Sequence, residues 1–403
     1  MQINVGIFFD SDQDGGGGFY QSLSVATALS KIDNKKFKFY FLCTDQKNIK
    51  KLNSLGVKTI FFPLKKICRI YQKLATSELI KIFFKKIGYK NPFEKFMKKK
   101  GIELLIFLGP SYFIQLCEKI NFIVNIYDIN HIFENYFPEY KNQEVFDEKN
   151  RIITKSTQQA FKILVDTERS KFELVKYFNC LSDKIIIQPF TPYLPKLFEK
   201  IKTNTDFKKI SEDLELPKSE RFIFYPAQFW AHKNHKYILN ALSILLNQNY
   251  IIKVVFCGSD KGNLENIKRD IIKLNLNDNI KIYSFLSEEQ VIALYTNCFA
   301  VVMPTFVARS TLPLYESFFF EKTIFYSKNI LDKNLEKYVT VIDLNNPKDL
   351  SEQIINLIDK GPNTENLKDA KKIYNENCNE IRLKENYENI LEQYYNICSI
   401  WKN

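Results

Sequence analysis

The sequence alternates between short apolar runs and longer segments with helical spacing, and this alternation constrains the fold more than any other feature. Short runs rich in Ile, Val and Phe are typical of buried strands. The first series of runs covers 4–9, 37–43, 57–62, 102–108, 122–128 and 161–166. Segments between them, such as 19–32, repeat apolar residues at the i, i+3, i+4 spacing of helices. Alternation of this kind predicts a doubly wound, mostly parallel sheet.

A second series of apolar runs follows a proline-containing segment at 185–200, which we interpret as the passage between two domains. These runs cover 222–227, 251–258, 281–286, 299–304, 323–327 and 339–344. The chain has 403 residues, and a length of this order predicts two domains of roughly 150–200 residues each. We therefore expect two Rossmann-like domains in tandem, with ligands binding beyond the carboxyl ends of the strands.

The composition is that of a packed protein, with 45% hydrophobic and 26% charged residues. The eight cysteines form no C-x-x-C pair, which is typical of reduced core cysteines in a cytosolic protein. No run approaches the ~18–20 apolar residues of a membrane span, and the first residues lack a basic signal-sequence region. The expectation is a cytoplasmic protein without a transmembrane helix.

Positive charge is concentrated in one segment, Lys65–Lys100. It contains twelve Lys or Arg and two Glu, a balance of +10 out of the formal +12 of the chain. A solvated lysine-rich face, a nucleic-acid site and an anionic lipid surface are three possible interpretations. No helix-turn-helix, zinc-finger or RNA-recognition signature accompanies the charge. Interleaved large apolar residues favour docking on an anionic membrane surface, and we expect no nucleic-acid binding.

Four consecutive glycines, Gly15, Gly16, Gly17 and Gly18, follow the first predicted strand and precede a helix. Glycines at such a turn let backbone N–H groups approach a phosphate closely. A plain flexible turn is the alternative, although four glycines make it entropically costly. The preceding Asp10–Gly15 matches half of a calcium loop, but Gln21 stands where a bidentate carboxylate is needed. A phosphate-facing loop is therefore favoured.

All three histidines follow predicted strands, where a ligand would bind. A lone histidine is usually structural, but this coincidence favours a functional role for His131. His232 and His235 have the H-x-x-H spacing of metal ligands, yet no third ligand accompanies them. We expect no metal site.

The second half holds a further group of candidates. Ser310 and Thr311 follow the strand at 299–304, and Glu316 falls in the next helix. A carboxylate there can accept both hydroxyls of a ribose, while the helix N-terminus binds phosphate oxygens. Gly258, Phe285 and Leu286 follow two other predicted strands and could frame a nucleotide base.

In order and spacing these motifs resemble the retaining GT-B glycosyltransferases, in particular glycosyltransferase family 4. The similarity runs along nearly the whole chain and is strongest over 222–327. It implies an α/β fold of GT-B type, with two Rossmann-like domains whose mostly parallel sheets face a central cleft. The domains would cover 1–192 and 193–384, and a C-terminal helix at 385–403 would cross back to the N-terminal domain.

The resemblance also implies roles for individual residues. His131 would approach the donor sugar, Lys233 would bind the diphosphate, and Glu316 would hold the nucleotide ribose; these three form the expected catalytic set. The expected donor-phosphate set is Gly15, Gly16, Gly17, Gly18, Gln228, Lys233, Ser310, Thr311 and Leu312. The expected nucleotide-binding set is Gly258, Phe285, Leu286 and Glu316.

Two positions depart from the family pattern. Gln228 occupies the place of an arginine, and glutamine offers the diphosphate only neutral hydrogen bonds. Ala308 occupies the place of the first of two glutamates, so the contact to the donor sugar would pass to Ser310, Thr311 and backbone N–H groups. Both departures bear on which sugar the protein would accept.

The expected function is transfer of a sugar from a nucleotide diphosphate-sugar to a glycan or lipid-linked glycan acceptor in cell-surface polysaccharide assembly. By family analogy the anomeric configuration is retained, and no cofactor or metal is expected. The protein would be cytoplasmic and peripheral on the inner membrane face. A sugar-nucleotide epimerase or phosphorylase of the same fold is one alternative, although no pyridoxal-phosphate lysine is identified. A non-catalytic sugar-nucleotide-binding partner is the other.

Overall fold

The computed structural model describes residues 1–13, 16–75, 77–216, 221–307 and 312–401. The chain divides into two compact units. The first consists of Met1–Phe133, Asn142–Thr191 and Glu380–Asn403, and the second of Glu134–Lys141 and Pro192–Asn379. The short segment 134–141 therefore belongs to the second unit, although residues of the first unit flank it on both sides.

The first unit is built on a seven-stranded sheet. Its strands are β1 (Ile3–Phe9), β2 (Phe37–Cys43), β3 (Thr59–Phe61), β4 (Leu104–Phe107), β5 (Asn121–Asn125), β6 (Lys162–Val165) and β7 (Ile185–Ile187). Their order is β3-β2-β1-β4-β5-β6-β7, and every described pairing is parallel. The chain builds outward in one direction from β1 and then in the other from β4. The connections that leave the carboxyl ends of β1 and β4 therefore run in opposite directions, and the switch point of this sheet lies between these two strands.

The second unit repeats this plan with six strands. They are β8 (Phe222–Pro226), β9 (Lys253–Cys257), β10 (Ile280–Tyr283), β11 (Ala300–Met303), β12 (Ile324–Ser327) and β13 (Thr340–Ile342). The order is β10-β9-β8-β11-β12-β13, again with parallel pairings. Here the switch point lies between β8 and β11. The prediction of an α/β fold with two parallel sheets is confirmed.

Helices connect the strands in both units. They are α1 (Gly17–Leu29), α2 (Gln46–Ser54), α3 (Lys65–Leu74), α4 (Glu78–Lys86), α5 (Pro92–Lys99), α6 (Asn130–Phe133), α7 (Gln143–Gln159), α8 (Glu168–Phe178), α9 (Tyr193–Ile201), α10 (Phe207–Asp213), α11 (His235–Asn247), α12 (Leu264–Lys273), α13 (Glu288–Asn297), α14 (Leu312–Phe319), α15 (Pro347–Lys360), α16 (Thr364–Asn377) and α17 (Glu380–Ser399). Within the described residues, no helix is both long and apolar enough to cross a membrane.

Aromatic packing forms much of the core of the first unit. The Phe8 ring on β1 meets Phe62, Phe93 and Phe113 at centroid distances of 5.4, 5.5 and 4.7 Å. All four side chains are buried, and each such burial contributes about 1.5–3 kcal/mol. The cluster therefore packs α5, which carries Phe93, against β1.

The last helix, α17, completes the first unit. Its buried face repeats at helical spacing through Leu383, Tyr387, Ile390, Leu391 and Tyr394. The Tyr387 hydroxyl lies 2.9 Å from Asn125 Nδ2 and donates to Asn125 Oδ1 at 3.1 Å, which ties the helix to β5. A helix distant in sequence from the strands thus supplies buried residues to the first unit.

Candidate functional site

The strongest concentration of sequence candidates lies at the switch point of the second sheet. Strands β8 and β11 are neighbours there, and ligands of doubly wound sheets bind in the crevice outside such a pair. The loop after β8 carries Gln228 and Lys233. The segment after β11 carries Ala308, Ser310 and Thr311, all three of which lie outside the described residues.

Backbone conformation places Lys233 at the start of a helix. Ala231–Lys233 form a single 3₁₀ turn, and Asn234 then takes a left-handed conformation with φ of 55° before α11 begins. Asparagine is among the few residues that adopt this region readily. The buried Tyr225 hydroxyl donates to the Lys233 carbonyl at 2.7 Å. A side chain of the core strand β8 therefore holds the backbone of the residue that the family resemblance predicts to bind the diphosphate.

Hydrogen bonds join the loop after β8 to the loop after β11. The Phe306 N–H donates to the His232 carbonyl at 3.0 Å, and the Thr305 hydroxyl lies 3.2 Å from the same oxygen. Thr305 is fully buried, so this junction is shielded from water. The two loops of the switch point therefore form one connected structure.

A second set of contacts joins the same loop to the end of β9. The Phe229 N–H donates to the Ser259 carbonyl at 3.0 Å, and the Asn263 N–H donates to the Phe229 carbonyl at 3.2 Å. A Cβ atom at Gly258 would lie 2.4 Å from the Ala227 carbonyl oxygen. Only glycine permits this close approach of the two backbones. Gly258 is thus explained by packing whether or not it contacts a nucleotide.

The side chain of Gln228 is occupied within its own loop. Its Nε2 donates to Ser259 Oγ at 2.9 Å, and its Oε1 accepts from Trp230 Nε1 at 3.1 Å. Glutamine has both a donor and an acceptor at its end, whereas arginine could satisfy only the serine side of this arrangement. Gln228 therefore orders the loop that carries Lys233.

His235 is a core residue. Its fully buried ring packs against Tyr225, Phe229 and Phe256 at centroid distances of 4.8, 4.8 and 5.0 Å. Neither ring nitrogen has a hydrogen bond of acceptable geometry within the described residues. Burial first, and then the nearby Lys233 charge, lower the pKa of His235 to about 3, against a small opposing effect of the Ala227 backbone. The ring is neutral at physiological pH.

His232 pairs with a carboxylate that sequence reasoning missed. Glu139, from the segment 134–141, accepts hydrogen bonds from the His232 backbone N–H at 3.1 Å and from its ring Nδ1. Burial would raise the pKa of Glu139, but the bonds from His232 outweigh it and hold that pKa below its ordinary value. Trp230 and Tyr140 stack on the imidazole at 6.3 and 6.1 Å. No three metal-ligating side chains converge in the described part of the chain.

Glu316 lies in the second turn of α14 and is only 6% exposed. Its Oε2 accepts from the buried Tyr295 hydroxyl at 2.6 Å. Burial raises the pKa of Glu316 to about 7, although the tyrosine hydrogen bond opposes the shift. The carboxyl therefore changes between a neutral and an ionised form near physiological pH. Tyr295 carries no sequence signal that would have identified it.

The candidates for base binding lie on the other side of β8. Gly258 follows β9, and Phe285 and Leu286 follow β10, the next strand along. The Phe285 side chain is 86% exposed. An aromatic ring so exposed at the carboxyl edge of a parallel sheet can stack against a flat heterocycle. Leu312, from the donor-phosphate set, is buried at the start of α14.

The glycine loop of the first unit lies at the switch point of its own sheet. Gly16 precedes α1 with φ of 61°, and the Gly18 backbone approaches the Tyr127 ring so closely that a Cβ would lie 3.2 Å from it. Gly17 begins α1, and Gly15 lies outside the described residues. The Tyr127 hydroxyl donates to the Leu108 carbonyl at 2.6 Å. The loops after β1, β4 and β5 are thereby joined.

Asp10 bridges the same switch point, a role that the sequence did not indicate. Its Oδ2 accepts from the Ser111 hydroxyl at 2.6 Å, which links the end of β1 to the segment after β4. Burial raises the pKa of Asp10 to about 6, against the effects of Ser111 and Lys65. The sequence showed Asp10 only as part of an incomplete calcium loop.

His131 is buried in α6, with only 1% of its surface exposed. Its Nε2 lies 3.0 Å from Asn150 Oδ1, and its ring packs against Phe146 at 5.4 Å. Burial is the main cause that lowers the pKa of His131, so the ring is neutral at pH 7. Nδ1 has no hydrogen-bond partner within the described residues. Its predicted approach to a donor sugar stays a prediction.

Comparison with known proteins agrees with this architecture. Residues 206–374 match the family model described as glycosyl transferases group 1, a region that covers less than half of the chain. It includes Gln228, Lys233, Gly258, Phe285 and Glu316. No curated protein matches the chain significantly in sequence.

Solved structures resemble the chain over nearly its whole length. HepE from Anabaena, crystallised with UDP-glucose, has a TM-score of 0.73 at 11% identity and covers 97% of this chain and 100% of its own. Sucrose-phosphate synthase from Thermosynechococcus elongatus has a TM-score of 0.72 at 12% identity, covering 98% and 100%. A glycosyltransferase from Rickettsia africae has a TM-score of 0.69 at 15% identity, covering 97% and 98%.

The fold is therefore that of the GT-B glycosyltransferases, as the sequence predicted. At these identities the structural likeness establishes the fold and not the activity. The family match places the candidate residues of the second unit within a region similar to glycosyl transferases group 1.

Proposed function

We propose that this protein is a glycosyltransferase that moves a sugar from a nucleotide diphosphate-sugar to a glycan or lipid-linked glycan acceptor. The observation that carries the proposal is the junction at the second switch point. There Lys233 sits on a loop bonded to its neighbours on both sides, within the region that matches glycosyl transferases group 1. HepE was crystallised with UDP-glucose, so uridine nucleotides are the first donors to test.

The chemistry assigned to this site is stabilisation of a departing diphosphate. A retaining transfer passes through an oxocarbenium-like sugar, and the negative charge that develops on the leaving group must be stabilised. Lys233 supplies a cation, and the N-terminus of α14 supplies oriented N–H groups. A lysine and a helix dipole can do this without a metal ion, and metal-independent transfer is part of the proposal.

Glu316 and Phe285 complete the proposed donor site. When ionised, the Glu316 carboxylate can accept both ribose hydroxyls, while the exposed Phe285 ring stacks on the base. Gln228 holds the loop and contributes only neutral hydrogen bonds. We propose further that the enzyme works in the cytoplasm, in assembly of a cell-surface polysaccharide.

A binding panel tests the donor class directly. Nucleoside diphosphates and their sugars should raise the melting temperature of the protein by mass action, and UDP should do so more than other diphosphates. Lys233→Ala should weaken diphosphate binding about 10–100-fold, because a charge-assisted contact is lost. Lys236→Ala is the matched control, since this lysine is the second residue of α11 and pairs at the surface with Asp270. Equal diphosphate affinity in the Lys233 and Lys236 variants would refute the assignment.

Product analysis separates the remaining alternatives. An epimerase would alter the nucleotide sugar without an acceptor, whereas a transferase releases the nucleoside diphosphate in proportion to the glycosylated acceptor. The engagement of Gln228 by Ser259 and Trp230 favours a third candidate, a binding protein without turnover, since a fixed cation is absent from that position. Tight donor binding with neither hydrolysis nor transfer across an acceptor panel would support that candidate.

A further inference from the structure

Helices α3 and α4 form a basic hairpin on the first unit, which we call the α3–α4 hairpin (residues 65–90). It contains eight Lys or Arg and a single acidic residue, Glu78. Thr76 lies outside the described residues, as do the side chains of Glu78, Lys81 and Lys85. The nucleotide-sugar chemistry proposed above assigns no role to this hairpin.

Aromatic and ionic contacts define the inner side of the hairpin. Tyr71 on α3 stacks on Phe84 of α4 at 5.3 Å with an interplanar angle of 14°, and Tyr89 packs on Phe84 at 5.1 Å. Arg69 pairs with Glu148 and lies 4.6 Å above the Tyr112 ring. These contacts join the two helices to each other and anchor α3 to the first unit through the half-buried Arg69.

The outer side carries an apolar stripe on each helix. On α3 the stripe repeats at i, i+3 and i+7. Along α4 and the residue that follows it, the stripe repeats at i, i+3, i+4 and i+8. Its members, with their exposed fractions, are Ile67 (47%), Ile70 (60%), Leu74 (43%), Leu79 (79%), Ile82 (52%), Phe83 (57%) and Ile87 (57%). Seven exposed large apolar side chains within 21 consecutive residues are unusual on a soluble surface and mark an interaction site.

Exposed lysines border this stripe. Lys66 and Lys73 lie four residues before and three residues after Ile70, so both flank it on the helix surface. Lys86 lies three residues after Phe83, and Lys90 closes the hairpin. An apolar stripe bordered by lysines is the pattern of a helix that lies in the interfacial layer of a membrane. Long lysine side chains can then reach outward to phosphate groups while their stems cover apolar surface.

We propose that the α3–α4 hairpin docks on an anionic lipid surface, with its stripe in the boundary between headgroups and acyl chains. Six of the seven stripe residues are aliphatic, and aliphatic side chains do not provide the stacking on which single-stranded nucleic-acid binding depends. A second copy of this chain would oppose two strongly positive hairpins, which like-charge repulsion disfavours. A lipid surface supplies both an apolar layer and complementary charge.

Vesicle flotation of the full chain tests the proposal. Binding is expected on mixed phosphatidylcholine–phosphatidylglycerol vesicles, with loss on pure phosphatidylcholine and at high salt. Lys86→Glu/Lys90→Glu should reduce binding at least about tenfold, because each near-surface lysine contributes substantially to the attraction. Lys208→Glu/Lys209→Glu, on exposed α10 positions of the second unit, changes the net charge equally and should bind as the parent does. Equal losses in both variants would overturn the proposal.

The apolar stripe needs its own measurement, since charge alone could attract the protein without insertion. Ile82→Glu/Phe83→Glu should abolish flotation, whereas Ile251→Glu/Ile272→Glu, also at exposed positions, should not. The Phe83→Trp variant has a third tryptophan in addition to Trp230 and Trp401 of the parent. Brominated acyl chains should quench a larger fraction of the tryptophan fluorescence in this variant than in the parent. This measurement does not require a variant that loses binding.

Two outcomes would assign the hairpin to another partner and so contradict the proposal. One is loss of oligonucleotide binding in the hairpin variants without any vesicle binding by the parent. The other is a dimer that Ile82→Glu/Phe83→Glu converts to a monomer, again without vesicle binding. Circular dichroism melting of each variant tests whether the fold is retained.

Discussion

At the scale of single residues, Glu316 illustrates how burial links stability to pH. An unfolded glutamate has a pKa near 4.5, whereas burial raises the pKa of folded Glu316 to about 7. Because the folded state holds the proton more tightly, the stability that this carboxyl contributes is fully present below pH 4.5. It is lost as the pH rises from 4.5 towards 7.

Glu316→Gln should therefore be more stable than the parent at pH 8, by about 1–3 kcal/mol. Glutamine cannot ionise, and its carbonyl oxygen can still accept from Tyr295. The difference should shrink towards zero near pH 4.5, as urea unfolding at both pH values would measure. Glu265→Gln, at an exposed position of α12 with 77% of its side chain accessible, should show no such dependence. A Glu316 variant equally stable at both pH values would contradict the shifted pKa.

The same residue should give donor binding the opposite pH dependence. If the ionised carboxylate accepts the ribose hydroxyls, UDP binding of the parent should strengthen as the pH rises through about 7. In Glu316→Gln the diphosphate affinity should be lower and nearly independent of pH over this window, as isothermal titration would show. A pH dependence that persists unchanged in the variant would assign it to another group.

Gly258 gives a sharper test of backbone packing. Gly258→Ala would place Cβ 2.4 Å from the Ala227 carbonyl oxygen and 2.7 Å from the Gln228 Cα, so the two loops must separate. The expected loss is about 2 kcal/mol or more in the free energy of unfolding, accompanied by weaker nucleotide binding. Ser259→Ala, which removes only the hydrogen bond from Gln228, should cost about 1 kcal/mol. Similar unfolding midpoints for the two variants would show that the loops tolerate separation.

The side-chain pairs at both switch points could not be read from the sequence. Asp10 and Ser111 are 101 residues apart, and Glu139 and His232 are 93 residues apart. Neither pair has a local spacing, so no motif reports it. The setting of Lys233 could be predicted, because a strand, a turn and a helix follow one another within about a dozen residues. Its role in diphosphate binding stays a prediction. Local signals survive in a single sequence, whereas contacts between distant loops require the fold.

At the scale of elements, the strands and helices were predictable because hydrophobic periodicity is itself local. Both sheets and their parallel character follow from the alternation of the two apolar series. The position of segment 134–141 does not follow, because a short aromatic stretch carries no periodicity that assigns it to either unit. The sequence also predicted α17 as a helix, and its buried face forms part of the first unit.

Attachment of α17 to β5 can be measured through one hydroxyl. Tyr387→Phe leaves the buried amide of Asn125 without its tyrosine partner and should lower the free energy of unfolding by about 1–3 kcal/mol. Asn125→Leu/Tyr387→Phe should cost less than the sum of the two single variants, because neither side chain then remains to lose its hydrogen-bond partner. Strict additivity in this double-mutant cycle would show that the two side chains do not interact.

At the scale of the whole molecule, the charge is distributed unevenly in a way that matters for encounter with partners. Most of the formal +12 lies in the segment from Lys65 to Lys100 of the first unit. A concentrated field steers association and makes its rate depend on salt, whereas the same charge spread evenly would mainly affect solubility. The candidate nucleotide residues in the region that matches the family model lie in the second unit, so they and the concentrated positive charge belong to different units.

The membership of segment 134–141 in the second unit has a consequence for fragments of this protein. A polypeptide covering 192–379 would contain every strand of its sheet but would lack Glu139, the acceptor for the His232 backbone and ring. Such a fragment should melt at a lower temperature when alone, and a synthetic peptide covering 134–141 should raise that temperature on binding. The same peptide with Glu139→Ala should do so far less. The second unit is thus assembled from two separate segments of one chain, and the smaller segment is inserted in the sequence of the first unit.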